Sequence, residues 1–200
     1  MLILRFLLSV VLTVVVKSAY FRNDGTLGSD GDPNTVDDAW DGHTHECKGS
    51  VDEITNMGFN GSSNCLKFTQ RYEPTWHGRY HAEVYLDAAT RLGETKYFGF
   101  AFMLDKAWRF DDKWYTISQF ITNFKDWPCP KGHKEWTPTT MVYLIGDVLY
   151  TRIRSGDICH ETEKGNVIYK LAHVTPGEWH TVVIGANWQV HSFPTVSYTR

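Results

Sequence analysis

The chain has 200 residues, of which 42% are hydrophobic and 22% charged, and its formal net charge is −3 with no run of basic residues anywhere. That balance excludes a protein whose work is to neutralise nucleic-acid phosphates, which needs a basic patch or stripe. An aromatic share of 14% suits a β-rich core.

From the amino terminus, Arg5, an apolar run over residues 6–16 and the small residues Ser18 and Ala19 follow the order of a secretory signal. Residues 1–19 are therefore expected to be removed and the mature protein to be extracellular. The apolar run falls short of the roughly 20 residues that a membrane-spanning helix needs, so no membrane association is expected. Loss of Arg5 and Lys17 takes the net charge from −3 to −5. The remaining residues, 20–200, about 180 in all, suffice for one core and not for two comfortable ones, so a single domain is expected.

Residues 21–49 are rich in Gly, Asp and Asn and read as an irregular segment laid over a sheet. Beyond residue 60 short β-rich runs alternate with turn residues, and no long helical period occurs. The pattern predicts strands over 65–70, 78–86, 97–104, 115–124, 140–145, 148–154, 167–173 and 179–186. Between two of them, Gly146-Asp147 is a two-residue hairpin signal with glycine at the first central position. Many short strands joined by long connections predict an all-β fold, an antiparallel two-sheet jelly-roll sandwich rather than a meander. Trp108, Trp114, Trp127, Trp136 and Trp188 fall near strand ends, where large aromatics mostly fill cores and some can floor a sugar groove.

Two of the predicted strands carry polar groups on one face. Alternation puts Arg79, His81 and Glu83 together on 78–86, and Tyr115, Ile117, Gln119 and Ile121 together on 115–124. Adjacent strands would then bring an imidazole, a guanidinium and an amide to one place, a set suited to a sugar acid. On 148–154, Tyr150, Arg152 and Arg154 share a face opposite Leu149, Thr151 and Ile153. That face reads equally as an arginine-bearing groove wall for carboxylates and as a solvated sheet surface. Glu83 can pair with Arg79, and His180, following Pro176-Gly177-Glu178, reads as structural. In an oxidising compartment Cys47, Cys65, Cys129 and Cys159 are expected to form two disulfides, with three connectivities open and no CxxC spacing for zinc. Asn60-Gly61-Ser62 is both an N-glycosylation sequon and a turn signal.

The ordered segments GRYHAEV, YFGFAFMLDKAW, YTISQFITNF, PTTMVYLIGDVLYTRI and PGEWHTVVIGANW resemble the fungal glucuronan lyases, a polysaccharide lyase family with a β-jelly-roll fold; the resemblance covers residues 60–188. It implies cleavage of β-1,4-linked polyglucuronate by β-elimination, with His81 and Gln119 in the catalytic groove; Arg79, Tyr150, Arg152 and Arg154 are expected from their strand faces to bind the substrate, and the protein is expected to be a monomer. It also implies a Cys129–Cys159 bridge, leaving Cys47 with Cys65, and a structural calcium ion. Oxygen ligands are plentiful in Asp30, Asp32, Asp37, Asp38 and Asp41, without EF-hand spacing. The family's late-strand catalytic tyrosine has no counterpart before Arg200, and residues 189–200 form a tail that departs from the family pattern. A truncated chain is therefore expected, one that folds poorly and turns over little. Against the lyase stand a non-catalytic carbohydrate-binding jelly roll, or an inactive truncated relative, and a glycoside hydrolase. The hydrolase would need two carboxylates about 5 to 10 Å apart, and Glu83 has no evident partner.

Overall fold

Alternation and turn chemistry carry over into the computed structural model, which describes residues 23, 25–27, 40–87, 90–91, 93–123, 125, 136–154, 165–188 and 195–199. Among these the chain forms eleven β-strands and no α-helix. It divides into two compact units, Met1–Tyr85 and Leu86–Arg200.

In the first unit β1 (Gly42–His45) pairs antiparallel with β4 (Ala82–Tyr85), and β2 (Ser50–Thr55) with β3 (Asn64–Thr69). The β2–β3 connection turns at Asn60 and Gly61, whose φ angles of 47° and 88° are both left-handed, and the Ser62 N–H donates to the Phe59 carbonyl at 3.0 Å. Asn-Gly adopts this pair of conformations at little steric cost, and the turn leaves the sequon asparagine exposed. Cys47 and Cys65 are free thiols, so the expected bridge between them is not formed. Cys65 pairs with Ile54, whereas Cys47 precedes the opposite end of the ladder, where Ser50 meets Thr69. At about 3.3 Å per residue the intervening ladder is roughly 13 Å long, beyond the ~7 Å Cα separation a disulfide tolerates. Cys129 and Cys159 lie outside the described residues.

The second unit holds a four-stranded antiparallel sheet in the order β6-β7-β8-β9 and a three-stranded one in the order β11-β10-β5. Their strands are β5 (Thr95–Met103), β6 (Trp114–Asn123), β7 (Trp136–Ile145), β8 (Val148–Arg154), β9 (Asn166–His173), β10 (Trp179–Asn187) and β11 (Thr195–Thr199). Val142 and Leu144 of β7 and Leu149 of β8 pack with Val182 and Ile184 of β10 in one buried cluster, flanked by Phe98, Phe100 and Phe102 of β5. Each such fully buried aliphatic side chain contributes about 1.5–3 kcal/mol relative to exposure, so this layer fixes which face of each strand is inside. Gly146 takes φ 57° in the β7–β8 turn, the conformation for which the glycine was singled out.

One strand departs from simple alternation. Tyr115 pairs with Leu144 and Thr116 with Tyr143, but the next pairs are Ser118 with Val142 and Gln119 with Met141, leaving Ile117 as an extra residue. This bulge inverts the faces, so Tyr115, Ile117 and Phe120 all pack on the core. Gln119 therefore stands on the side opposite Tyr115 and Ile117, not with them as strict alternation predicts. The tryptophans divide between roles: Trp108 packs on the core and Trp188 lies 5.0 Å from the Phe120 ring, whereas Trp114 and Trp136 are exposed. Trp127 is outside the described residues.

Part of the tail is ordered as β11, which pairs with β10 and sets Tyr198 opposite Val182. The Tyr198 hydroxyl lies 2.5 Å from His180 Nδ1, and His180 Nε2 lies 3.2 Å from both the amide nitrogen and the carbonyl oxygen of Thr175. His180 is completely buried and packs against Phe102, which makes it a structural residue fastening β11 to the core. Tyr198→Phe would strand a buried ring nitrogen without its partner, and should lower stability by about 1–3 kcal/mol in urea denaturation. An unchanged midpoint and slope would show that the hydrogen bond holds nothing.

Candidate active site

The polar groups expected to act on a sugar acid occupy two places, one in each unit. In the first, the Glu46 N–H donates to the His81 carbonyl at 3.0 Å, continuing the β1–β4 ladder by one step beyond the His45–Ala82 pair. That step brings the side chains of Glu46 and His81 to the same side. Arg79 Nη2 donates to Glu46 Oε1 at 3.0 Å, and His81 Nδ1 lies 3.3 Å from the same oxygen, at ion-pair range but not aligned as a hydrogen bond. The strand itself starts only at Ala82, so Arg79 and His81 are set by the incoming loop and by Glu46 rather than by strand alternation. Glu83 sits opposite Thr44, and the carboxylate that holds Arg79 is Glu46.

The second nitrogen of the imidazole, Nε2, is the one on the far side of the ring from Glu46. His81 is mostly buried, while the Arg79 side chain is 83% exposed, with guanidinium hydrogens turned to solvent beyond the one given to Glu46. Glu46 was missed in the sequence because it falls in a stretch with no strand period, where β1 is too short to register.

In the second unit the face of the β6–β9 sheet turned away from the core carries Gln119, Met141, Arg152 and Ile168 in one row across four strands. The next row holds Thr116, Tyr143, Tyr150 and Lys170. Arg152 donates from Nη2 to the Pro138 carbonyl at 3.3 Å, contacts Met141 Sδ at 2.8 Å and lies 5.7 Å from the centre of the Trp114 ring. Tyr143 and Tyr150 stack at 5.7 Å, and Trp114 leans on Tyr143 at 5.1 Å. Burial pushes the Tyr143 hydroxyl up from its ordinary value, opposed by the positive charge of Arg152. Tyr150, Arg152 and Arg154 are half-buried on this face while Leu149, Thr151 and Ile153 are buried on the other, as alternation predicts. At the hairpin end, His173 Nδ1 bonds Asp147 at 2.8 Å and its Nε2 lies 3.0 Å from Lys170 Nζ, so both ring nitrogens are engaged and the ring is no available base.

His81 and Gln119 thus belong to different units, each described in its own setting. For the expected calcium ion, Asp30, Asp32, Asp37 and Asp38 lie outside the described residues, and among the described residues no three His, Cys, Asp or Glu side chains gather as a metal site.

Residues 33–192 match the family model described as Polysaccharide lyase. The chain belongs to the polysaccharide lyase family. It is also similar in structure to the endo-β-1,4-glucuronan lyase of the fungus Trichoderma reesei, with 34% sequence identity over 88% of this chain and 70% of that one and a TM-score of 0.71. No curated protein matches it. The antiparallel jelly-roll sandwich read from the sequence is accordingly the fold of this lyase.

In the lyase, Glu46 positions both Arg79 and His81, so Glu46→Gln, which removes the charge but little volume, should lower turnover by roughly ten- to a hundredfold through misplacement of the two side chains. Turnover within about twofold of the wild type would exclude a positioning role.

Proposed function

We propose that this lyase cleaves β-1,4-linked polyglucuronate by β-elimination, with His81 as the base and Gln119 as a ligand of the reacting carboxylate. The observation that carries the reading is the 34% identity to an endo-β-1,4-glucuronan lyase across 88% of the chain. The chemistry asks for what the two sites offer. The proton at C5, alpha to the carboxylate, is weakly acidic, so its removal needs groups that stabilise negative charge building on the carboxylate oxygens. An uncharged amide donor such as that of Gln119 does this on a sheet face shared with Arg152. His81 Nε2 takes the C5 proton, the electron pair forms the C4=C5 double bond, and the C4–O4 bond breaks, a proton from solvent converting the departing oxygen to the hydroxyl of the released chain. Arg79, Tyr150, Arg152 and Arg154 hold uronates along the chain, with arginine forks matched to carboxylates.

The same proposal includes a signal over residues 1–19, secretion of a monomer, and a Cys129–Cys159 disulfide, which peptide mapping without reduction would reveal as one linked fragment pair. Finding either thiol free would remove that bridge. For the site, His81→Ala and Gln119→Ala should each cut the formation of unsaturated, ultraviolet-absorbing uronate ends by at least about a hundredfold. Normal rates from a folded variant would take that residue out of the mechanism. Retention of the polymer with no unsaturated ends released would favour instead a carbohydrate-binding protein.

A further inference from the structure

The loop between β3 and β4 carries three aromatic side chains that stand at the surface and are nevertheless held in place. Tyr72 is 80% exposed, Tyr80 39% and Trp76 37%. The Tyr72 and Tyr80 rings stack with centroids 6.2 Å apart and planes 25° from parallel. The Tyr80 hydroxyl donates to the Glu73 carbonyl at 2.7 Å and accepts from the Glu73 N–H at 3.2 Å, so the ring tip closes the loop on itself. Trp76 is tied twice: its N–H donates to the Glu73 carbonyl at 3.0 Å and its indole Nε1 to the Arg79 carbonyl at 2.9 Å. A Cβ at Gly78 would fall 2.3 Å from the indole, so glycine there is what lets the ring lie against the backbone. Glu73 is itself anchored by an ion pair with Lys48 and a 3.0 Å hydrogen bond from the Thr75 hydroxyl, which hold its carboxyl below the usual range.

Ordering exposed rings costs side-chain entropy that no core repays here, and rigid aromatic surfaces with satisfied polar tips are what binding sites use. The ligand class follows from the surroundings. Pyranose rings present a C–H face that packs on an aromatic face, and Arg79, which follows Gly78 and adjoins Tyr80, offers an exposed guanidinium to a carboxylate. Arg71 and Arg79 outnumber the one acid, Glu73, within residues 71–81, in a chain whose net charge is −3. A neutral or basic ligand would not need that local excess.

We propose that Tyr72, Trp76 and Tyr80 form a stacking subsite for an acidic sugar flanking the one whose proton His81 removes. This rests on the reading of the enzyme as a polyglucuronate lyase. The subsite is a positioning element: it binds the chain and sets its register at His81 without touching the reacting atoms.

The test uses the full chain and two readouts, turnover of polyglucuronate and calorimetric binding of a short oligoglucuronate. Tyr72→Ala is the main variant because its ring is the most exposed of the three and the fold does not lean on it. It should raise KM by roughly three- to tenfold with kcat within about twofold, and weaken oligosaccharide binding by the same factor. Tyr80→Phe, which keeps the ring but loses the tie to Glu73, should move KM in the same direction by less. If the wild type turns over polyglucuronate and Tyr72→Ala matches it in KM and in binding, the subsite is refuted while the lyase reading stands. If the wild type binds the oligosaccharide without turnover and Tyr72→Ala loses that binding, the subsite stands and the lyase reading fails. Absence of both turnover and binding in the wild type refutes both.

Discussion

The β8 strand imposes the constraint on which the second unit depends. Its inward side chains, Leu149, Thr151 and Ile153, are all buried, Leu149 in the cluster with Val182 and Ile184 of β10. A one-residue slip would push all three into solvent and bring two arginines into the core, at a cost no native domain could absorb. The outward face is therefore fixed by the inward one: Tyr150, Arg152 and Arg154 stand on the solvent side because their neighbours cannot. The neighbouring strands inherit the arrangement through register, which carries Met141 and Gln119 into line with Arg152.

How much of this could be read from the sequence follows from the range of the interaction involved. The faces of β8 were legible because period-two alternation is a local property of a strand buried on one side only. The Gly146 turn was legible for a similar reason, since only a few residues take a left-handed φ readily. The bulge at Ile117 was not legible: it depends on which residue of β7 faces which residue of β6, and nothing local to 115–121 announces it. It changed the company of Gln119 from Tyr115 and Ile117 to Met141 and Arg152. The partnership of Glu46 with Arg79 and His81 was hidden too, because it joins residues more than thirty apart through a four-residue strand. The ordered end of the tail was likewise invisible until β10 offered it a ladder.

The polar groups of the two units are built differently. In the first, Glu46 Oε1 accepts from the Arg79 guanidinium at 3.0 Å and lies 3.3 Å from His81 Nδ1. In the second, the sheet face turned away from the core carries an amide and arginines, with Arg152 5.7 Å from the centre of the Trp114 ring and Tyr143 stacked on Tyr150. The membership of the chain in the polysaccharide lyases gives these arrangements their substrate class.

The central claim is that bonds are broken by elimination and not by water. It is tested most directly by digesting polyglucuronate in water enriched in heavy oxygen and weighing the products by mass spectrometry. Elimination predicts fragments carrying one unsaturated end, lighter than the hydrolysis products by one water, with no heavy oxygen incorporated at the cleaved bond. Fragments of full hydrated mass bearing one heavy oxygen at the new reducing end would contradict the account and identify a hydrolase.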